Sequence, residues 1–264
     1  MFNFDGKKVF VVGGTSGINL SIALAFAGHG ASVAVGSRDP DKVARTVEAL
    51  HKVNPRGQHL GVLFDVRDME ALSAGFAEVE HAFGKLDVLI SGAAGNFPAS
   101  AKDLSPNGFK AVMDIDLLGS FQVLKCAYGM MQRPGAIVQI SAPQAFVPMP
   151  MQAHVCAAKA GVDMLTRTLA MEWGPEGIRI NSIVPGPIAH TEGFNRLAPS
   201  EELQARVAKS VPLGRNGEGV DIANAAMFLA SPQAAYITGI VMPVDGGWSL
   251  GGASIAMSGL GKMA

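Results

Sequence analysis

Residues 9–19 decide the fold, and they read VFVVGGTSGIN. An apolar run of strand length ends directly in a glycine cluster, and a segment of helical length follows. Glycines at such a junction let the backbone approach a pyrophosphate, which binds at the N-terminus of the helix. A tight turn is the alternative explanation, but the position directly after the first strand favours a dinucleotide. The residues expected to contact its phosphates are Gly13, Thr15, Ser16, Gly17 and Ile18.

Short runs rich in Val and Ile alternate with helix-length segments along the rest of the chain. The predicted strands are 8–12, 32–36, 60–64, 87–91, 136–141, 178–184 and 240–244. The predicted helices are 17–29, 40–53, 68–83, 106–131, 151–174 and 219–231. This alternation predicts right-handed βαβ units and an α/β fold: a single Rossmann-like, doubly wound parallel sheet flanked by helices. We expect residues 1–264 to form this one domain.

Residues 186–215 break the alternation. The segment is long, contains Pro187, Pro199 and Pro212, and shows the pattern of one or two short helices. Long insertions at the carboxyl edge of a parallel sheet often cover a bound ligand, because loops at that edge carry function. The segment is therefore predicted to be a substrate lid.

Composition narrows the class of protein. The chain is 48% hydrophobic and 16% charged, as expected for a sheet buried on both faces. A formal net charge of -1 does not favour nucleic acid or an anionic membrane, and no apolar stretch approaches the ~20 residues of a membrane span. Two cysteines cannot form a disulfide framework, and the last residues, GKMA, are no peroxisomal address of the S-K-L type. These features predict a cytoplasmic enzyme.

The end of the second strand bears on the choice of cofactor. Ser37 and Arg38 stand where NAD-binding folds carry an acidic residue that holds the ribose hydroxyls. The planar guanidinium of arginine donates two parallel hydrogen bonds to a phosphate. The two residues therefore predict NADPH rather than NADH, and a solvated loop arginine is the alternative.

Several short motifs recur together later in the chain: AAGNF at 93–97, LSP at 104–106, MDID at 113–116, QAH at 152–154, PGPI at 185–188 and TEG at 191–193. Together they resemble the NADPH-dependent 2,4-dienoyl-CoA reductases of the peroxisomal type, a branch of the short-chain dehydrogenase/reductase family. The similarity runs from about Asp5 to Trp248. It implies the strand order 3-2-1-4-5-6-7.

The resemblance also implies cofactor contacts beyond the glycine motif. Asp65 and Val66 correspond to the family's adenine contact. The nicotinamide and its ribose are expected beside Ala93, Ala94, Gly95, Lys159, Pro185, Gly186 and Ile188. The chain departs from the family's glycine motif at two positions, where Val12 replaces a threonine and Asn19 replaces the third glycine.

The catalytic positions of the family are altered in this chain. Where ordinary members carry Asn, Ser, Tyr and Lys, it has Asp116, Ala142, Val155 and Lys159. Ordinary members reduce a carbonyl, and their tyrosine protonates the new alkoxide. Neither of the two tyrosines of this sequence lies near that point. The resemblance therefore implies a reaction in which no phenol delivers the proton.

Reduction of a conjugated dienoyl thioester fits the altered set. Hydride added to the far end of the conjugated system gives a dienolate whose charge collects on the thioester oxygen, and the proton then goes to carbon. The site needs hydrogen-bond donors at that oxygen and an acid or an ordered water beside the α-carbon. The resemblance assigns the first task to Asn96 and the second to Asp116 with Lys159. The alternatives are an exposed Asp116 and a Lys159 that only binds ribose.

Four further side chains are expected on the substrate side. Gln144 stands at the position of the active-site tyrosine of the mitochondrial enzymes. Arg196 lies in the predicted lid, where it would meet a phosphate of coenzyme A, and Phe97 and Phe194 would contact the acyl chain. His154 is predicted to lie on another helix face than the catalytic lysine, as a hydrogen-bonded structural histidine.

These observations predict an NADPH-dependent reductase that converts 2,4-dienoyl-CoA to 3-enoyl-CoA in the degradation of unsaturated fatty acids. It would need no flavin and no metal. The family usually forms tetramers through the helices predicted at 106–131 and 151–174, so a homotetramer is expected. Two alternatives stay open: a short-chain oxidoreductase of another carbonyl or enoyl substrate, and a catalytically silent NADPH-binding protein.

Overall fold

The centre of the molecule is a parallel sheet. A computed structural model describes residues 2–251 of the protein. Over that range seven strands form one sheet with the order β3-β2-β1-β4-β5-β6-β7. They are β1 Lys8–Val12, β2 Ser32–Ser37, β3 His59–Leu63, β4 Leu86–Ser91, β5 Met131–Ile140, β6 Ile178–Pro185 and β7 Val241–Val244. Every neighbouring pair is parallel, so the predicted α/β fold and strand order are confirmed.

Helices alternate with the strands and cover both faces of the sheet. Within the described range they are α1 Gly17–Gly28, α2 Pro40–Val53, α3 Met69–Phe83, α4 Pro106–Val112, α5 Gly119–Tyr128, α6 Ala153–Trp173, α7 Glu192–Leu197, α8 Glu201–Ser210 and α9 Gly219–Ala230. Phe10 and Val12 of β1 belong to one core cluster, whereas Val9 and Val11 belong to the other. All four are completely buried, as expected of a strand covered on both sides. No helix in residues 2–251 has the length and apolar character needed to cross a bilayer.

The helix predicted at 106–131 runs from Pro106 to Tyr128, so it ends earlier than predicted, and it contains a π-turn that the sequence did not indicate. A π-helical turn at Met113–Leu118 separates α4 from α5. The chain then turns near Gly129, and β5 begins at Met131, well before the predicted start of that strand. Because Met130 and Met131 are both buried, the apolar pattern continues through the turn and hides the change from helix to strand. π-Turns are rare and often mark functional sites.

The segment after β6 contains the two short helices that the sequence predicted, α7 and α8. The hydroxyl groups of Thr191 and Ser200 cap them by accepting hydrogen bonds from the main-chain N–H groups of Phe194 and Leu203. Phe194 and Ala198 are buried beneath the segment. The segment follows the carboxyl end of β6, which is the edge of the sheet that carries the candidate site.

Candidate active site

The loop between β1 and α1 forms a backbone cradle at the carboxyl edge of the sheet. Gly13 has a φ of 77°, and a Cβ at this position would lie 3.0 Å from the main-chain nitrogen of Ala93, so both the conformation and the space require glycine. Ser16 is the N-cap of α1, but its side chain makes no capping hydrogen bond. The first N–H groups of α1 therefore lack a side-chain cap and suit an anion.

A cavity of about 480 Å³ extends from this cradle along the ends of the neighbouring strands. It is lined by nine of the predicted cofactor contacts: Gly13, Thr15, Ser16, Ser37, Arg38, Asp65, Val66, Ala93 and Ala94. A second cavity of about 450 Å³ is lined by four more: Ile18, Pro185, Gly186 and Ile188. Gly17 begins α1, opposite Thr191, and Gly95 follows the lining residue Ala94. The structure thus gathers the predicted cofactor residues along one edge of the sheet.

Asn19 fixes the cradle to the loop that follows β4. Its Nδ2 donates a hydrogen bond of 2.8 Å to the carbonyl oxygen of Gly92. A Cβ on Gly92 would lie 2.4 Å from the amide of Asn19, so the larger side chain of Asn19 fits only because residue 92, in the facing loop, is glycine. The departure from the family motif is therefore compensated, and helix α1 stays packed against the strand ends.

Arg38 lies at the mouth of the first cavity with its side chain 66% exposed. Its Nη1 lies 3.4 Å from Oδ2 of Asp65, whereas Nη2 of Arg67 lies 2.6 Å from the same oxygen. The hydrogen bonds from Arg67 are the main reason that the pKa of Asp65 falls to about 2. Asp65 is therefore ionised near neutral pH, and its tighter partner is Arg67, which leaves Arg38 free to turn towards a ligand phosphate.

Two charged residues beside Arg38 also shape this end of the cavity. Oδ1 of Asp39 accepts the main-chain N–H groups of Asp41 and Lys42 as the cap of α2, so this oxygen is already engaged. Lys42 lines the cavity together with Arg38, and its Nζ lies 4.0 Å from Oδ2 of Asp39. Sequence reasoning missed Lys42, although its place in the first turn after the second strand was available as a signal.

Asp116 and Lys159 form a buried ion pair. The side chain of Asp116 is 1% exposed, that of Lys159 is 7% exposed, and Oδ2 of Asp116 lies 3.5 Å from Nζ of Lys159. Oδ1 of Asp116 accepts a hydrogen bond of 2.7 Å from the N–H of Gly95, and Nζ of Lys159 donates one of 3.2 Å to the carbonyl oxygen of Ile140. Within residues 2–251, Oδ2 of Asp116 receives no hydrogen bond. The alternative of an exposed Asp116 is therefore wrong.

Asp116 lies within the π-turn, which packs against α6. It presents the carboxylate inward from the helical segment between α4 and α5, opposite the middle of α6. A buried ion pair stabilises a fold only weakly, because desolvation of both charges opposes their attraction. A distorted helix that carries one half of such a pair therefore indicates function rather than stability.

Asn96 lies in the loop after β4, next to the glycine that binds Asp116. Its Oδ1 is buried and has no hydrogen-bond partner among the described residues, so this oxygen can accept a hydrogen bond from a ligand. The carbonyl oxygen of Asn96 accepts a hydrogen bond of 3.2 Å from Nη1 of Arg196, and Nη2 of Arg196 pairs with Glu192. Arg196 thus ties helix α7 to the Asn96 loop, a contact that the sequence did not indicate. Its predicted role at a coenzyme A phosphate stays a prediction.

Ile140 lines the second cavity, and its carbonyl oxygen accepts the hydrogen bond from Lys159 of the buried ion pair. Gln144 and Gln152 line this cavity, and Nε2 of Gln144 donates a hydrogen bond of 2.6 Å to Oε1 of Gln152. Oε1 of Gln144 is buried without a partner in residues 2–251. Phe194 lines the apolar part, and its contact with an acyl chain stays a prediction. Gln152 was not anticipated.

Phe97 and His154 pack together at the edge of the site. Their ring centroids lie 4.7 Å apart, and Phe97 is 38% exposed, whereas His154 is completely buried. Neither ring nitrogen of His154 has a hydrogen-bond partner within the described part of the chain. The expectation of a buried histidine is met, but the expectation that it is hydrogen-bonded is wrong. Phe97 lines neither of the two cavities described above, and its contact with an acyl chain stays a prediction.

Comparison with known proteins identifies the family. A family model described as Enoyl-(Acyl carrier protein) reductase matches residues 12–249. The chain belongs to the short-chain dehydrogenase/reductase family. The peroxisomal 2,4-dienoyl-CoA reductase of Danio rerio is 40% identical over 243 residues, which are 91% of this chain and 81% of that protein. The corresponding protein of Saccharomyces cerevisiae is 41% identical over 252 residues, 94% of this chain and 86% of its own length.

A bacterial relative and two solved structures agree with this assignment. The probable 2,4-dienoyl-CoA reductase of Bacillus subtilis, named as producing the (2E)-enoyl product, is 42% identical and covers 92% of this chain and 96% of its own. Levodione reductase superimposes with a TM-score of 0.89 at 28% identity, over 94% of this chain and 99% of that one. A short-chain dehydrogenase of Bacillus anthracis superimposes with a TM-score of 0.83 at 38% identity, over 92% of this chain and 96% of that one. The protein is therefore an oxidoreductase of the nicotinamide-dependent kind.

Proposed function

We propose that this protein is an NADPH-dependent 2,4-dienoyl-CoA reductase that forms 3-enoyl-CoA during the degradation of unsaturated fatty acids. The observation that carries the proposal is the buried pair of Asp116 and Lys159, together with the apolar Val155 at the position of the family's tyrosine. A carbonyl reductase must protonate an alkoxide, and Val155 has no proton to give. The pair suits a reaction whose proton goes to carbon through a held water.

The cofactor supplies the hydride when it is bound. The chain's own residues then act on the substrate oxygen that becomes negative. Nδ2 of Asn96 donates to that oxygen in this proposal, and Nε2 of Gln144, which uses one of its two hydrogens on Oε1 of Gln152, is a second candidate donor in the neighbouring cavity. Lys159 places a positive charge nearby in a buried setting, where a charge acts more strongly than in water.

The second task of the pair is to hold the proton donor. Oδ1 of Asp116 is occupied by the N–H of Gly95, so the carboxylate cannot rotate freely, and Oδ2 faces Lys159. A water held between Oδ2 and Nζ of Lys159 would be oriented by an acceptor and a donor at once. Protonation of the dienolate at its α-carbon gives the 3-enoyl product, whereas protonation at the γ-carbon gives the 2-enoyl product.

The proposal of NADPH rather than NADH is supported by the two cations at the end of β2. Arg38 and Lys42 both line the first cavity, and the nearby Asp39 is engaged in capping α2. An anionic 2′-phosphate would meet two cations, whereas the carboxylates at this end of the cavity, those of Asp39 and Asp65, are already partly engaged, one in the α2 cap and the other with Arg67. The sites of both ligands fit the residues present.

Three further parts of the proposal concern the whole protein. We propose a homotetramer formed through the α4–α5 segment and α6, which expose Phe109, Leu118, Phe121, Met164 and Met171 on their outer faces. We also propose that residues 1–264 are one domain, with 186–215 as its lid. A cytoplasmic location stays a proposal, since the animal and yeast relatives are named peroxisomal.

The test is NADPH oxidation by the purified protein with 2,4-hexadienoyl-CoA and a longer dienoyl-CoA. Crotonyl-CoA and a simple ketone serve as controls. Turnover of the dienoyl thioesters and not of the controls is the expected result. Turnover of the ketone alone would instead support a carbonyl reductase, and NADPH binding without any turnover would support a catalytically silent protein.

A further inference from the structure

The second cavity has a polar part and an apolar part. Gln144 and Gln152 supply amides beside the catalytic pair, whereas Phe194, Val207 and Trp248 supply apolar surface. The amides belong beside the oxygen that gains charge, since buried polar groups need polar partners. An acyl tail attached to that thioester therefore extends along the apolar wall, which ends in residues from helix α8 and from the segment after β7.

Trp248 is held in a defined position on that wall. The carboxylate of Asp245 accepts hydrogen bonds of 2.8 Å from the N–H groups of Gly247 and Ser249, which flank Trp248 in the chain. The indole Nε1 of Trp248 donates a hydrogen bond of 3.2 Å to Oγ of Ser210 at the end of α8. The turn around Asp245 thus holds the main chain of Trp248, and Ser210 of the lid holds its indole ring.

A third cavity, of about 470 Å³, lies behind this wall. It shares residues 186–188 with the second cavity. Two further segments, the end of α8 and the chain after β7, contribute to both cavities. Val207 and Trp248 line the second cavity, and Val211 and residues 246–247 line the third. Residues 186–188 thus lie between the two spaces, and Trp248 lines the second cavity directly after Gly246 and Gly247, which line the third.

We propose that Trp248 sets the longest acyl chain that the enzyme accepts, by separating the acyl cavity from the third cavity. The proposal rests on the proposed function, because it requires an acyl thioester in the second cavity. A short chain ends against the indole, and a longer chain needs the space behind it. Trp248 is thus a specificity-determining residue rather than a catalytic one.

The experiment compares Trp248→Ala with the unaltered protein on a series of dienoyl-CoA thioesters from six to fourteen carbons. Each methylene that the third cavity newly buries is worth roughly fourfold in binding. The ratio of kcat/KM for the long chains to kcat/KM for the hexadienoyl thioester should therefore rise at least about tenfold. Trp248→Phe keeps a ring at the wall and should change the ratio much less, whereas Trp248→Leu removes the ring, should also raise the ratio, and serves if the alanine variant does not fold.

Two controls make the result specific. Leu203→Ala removes an exposed apolar side chain of α8 that lines neither cavity, and it should leave the ratio unchanged. Leu213→Trp, which lies on the wall of the third cavity, should cancel the gain when it is combined with Trp248→Ala, because it refills that space. A folded Trp248→Ala variant with the original chain-length ratio would overturn the proposal.

A binding measurement distinguishes failure of the chain-length proposal from failure of the proposed reductase function. The dissociation constants of saturated acyl-CoA thioesters of six to fourteen carbons, measured by titration calorimetry with NADP⁺ present, do not depend on turnover. If no dienoyl thioester is reduced, a shift of these constants towards long chains in Trp248→Ala still supports the partition. Equal constants in both proteins would contradict it.

Discussion

The glycine-rich cradle after β1 and the ion pair of Asp116 and Lys159 occupy the same edge of the sheet but differ in how exposed their charges are. The cradle relies on glycines and main-chain N–H groups, and the side chains of Arg38 and Lys42 are 66% and 44% exposed. Asp116 and Lys159 are almost completely buried. Water weakens the first set of interactions, whereas burial strengthens the second. Substitutions in the cradle should therefore alter affinity moderately, and substitutions in the pair should alter the rate strongly.

The largest effect is expected for Asp116→Asn. The amide keeps the shape but removes the negative charge that pairs with Lys159 and orients the proposed water. We expect kcat with a dienoyl-CoA to fall at least tenfold and towards about 100-fold, while the dissociation constant of NADPH changes little. Steady-state kinetics and a fluorescence titration of NADPH measure the two quantities.

Asp114 provides the matched control for this experiment. It lies in the same π-turn, two residues earlier, but it pairs with Lys110 and its side chain is 27% exposed. Asp114→Asn should leave kcat within about twofold of its original value, because exposed pairs contribute little. Equal losses in the two variants would show that the turn matters only for folding, and unchanged turnover in Asp116→Asn would remove its role in catalysis.

A smaller effect is expected for Arg38→Asp in the exposed cradle. The carboxylate would repel a 2′-phosphate but could accept a bond from ribose hydroxyls. NADPH affinity should fall about tenfold or more, whereas NADH affinity should fall far less. Lys52→Ala, which removes a cation of α2 that pairs with Glu48 instead, is the control and should change neither affinity. Equal weakening of both cofactors in Arg38→Asp would contradict the phosphate assignment.

The smallest effect is expected at a third carboxylate, that of Asp163 in α6. This carboxylate is buried but has no proposed part in catalysis, so it tests the effect of burial on stability alone. It is 4% exposed, accepts a hydrogen bond of 3.0 Å from Oγ of Ser182, and has its pKa raised by burial from the ordinary value of 3.8. The folded protein therefore holds this proton more tightly than the unfolded chain does. Ionisation destabilises the fold increasingly as the pH rises above 3.8, until the carboxyl is ionised in the folded state as well.

Asp163→Asn cannot ionise and should escape that penalty. The melting temperature of the variant, relative to the unaltered protein, should increase between acidic and neutral pH. Thermal unfolding monitored by circular dichroism at a series of pH values measures the difference. A relative melting temperature that is constant or falls with pH would show that burial does not penalise this carboxylate.

The sequence predicts the fold better than the site, for physical reasons. Runs of Val and Ile locate strands that are buried on both faces, so their positions follow from composition. The π-turn leaves no such trace. Asp114 and Asp116 lie on opposite sides of the helix because they are two residues apart, and only the tertiary packing shows that Asp116 is the buried one. The resemblance to a family singled out Asp116, whereas residue pattern alone did not.

Residues that act through tertiary contacts were the ones that sequence reasoning missed. Lys42 and Gln152 are ordinary helix-start residues until the cavities are known. The contact between Arg196 and the carbonyl oxygen of Asn96 joins residues that are 100 positions apart. Such contacts depend on how loops meet at the sheet edge, which no local pattern encodes.

The most direct test of the proposed chemistry is to identify where the proton is placed. The product of 2,4-hexadienoyl-CoA reduction in D₂O with NADPH would be analysed by NMR. We predict a 3-enoyl-CoA that carries one deuterium at its α-carbon, as expected if the Asp116–Lys159 pair delivers a solvent-derived proton there. A 2-enoyl-CoA with deuterium at the γ-carbon would contradict this placement, and so would a product without deuterium.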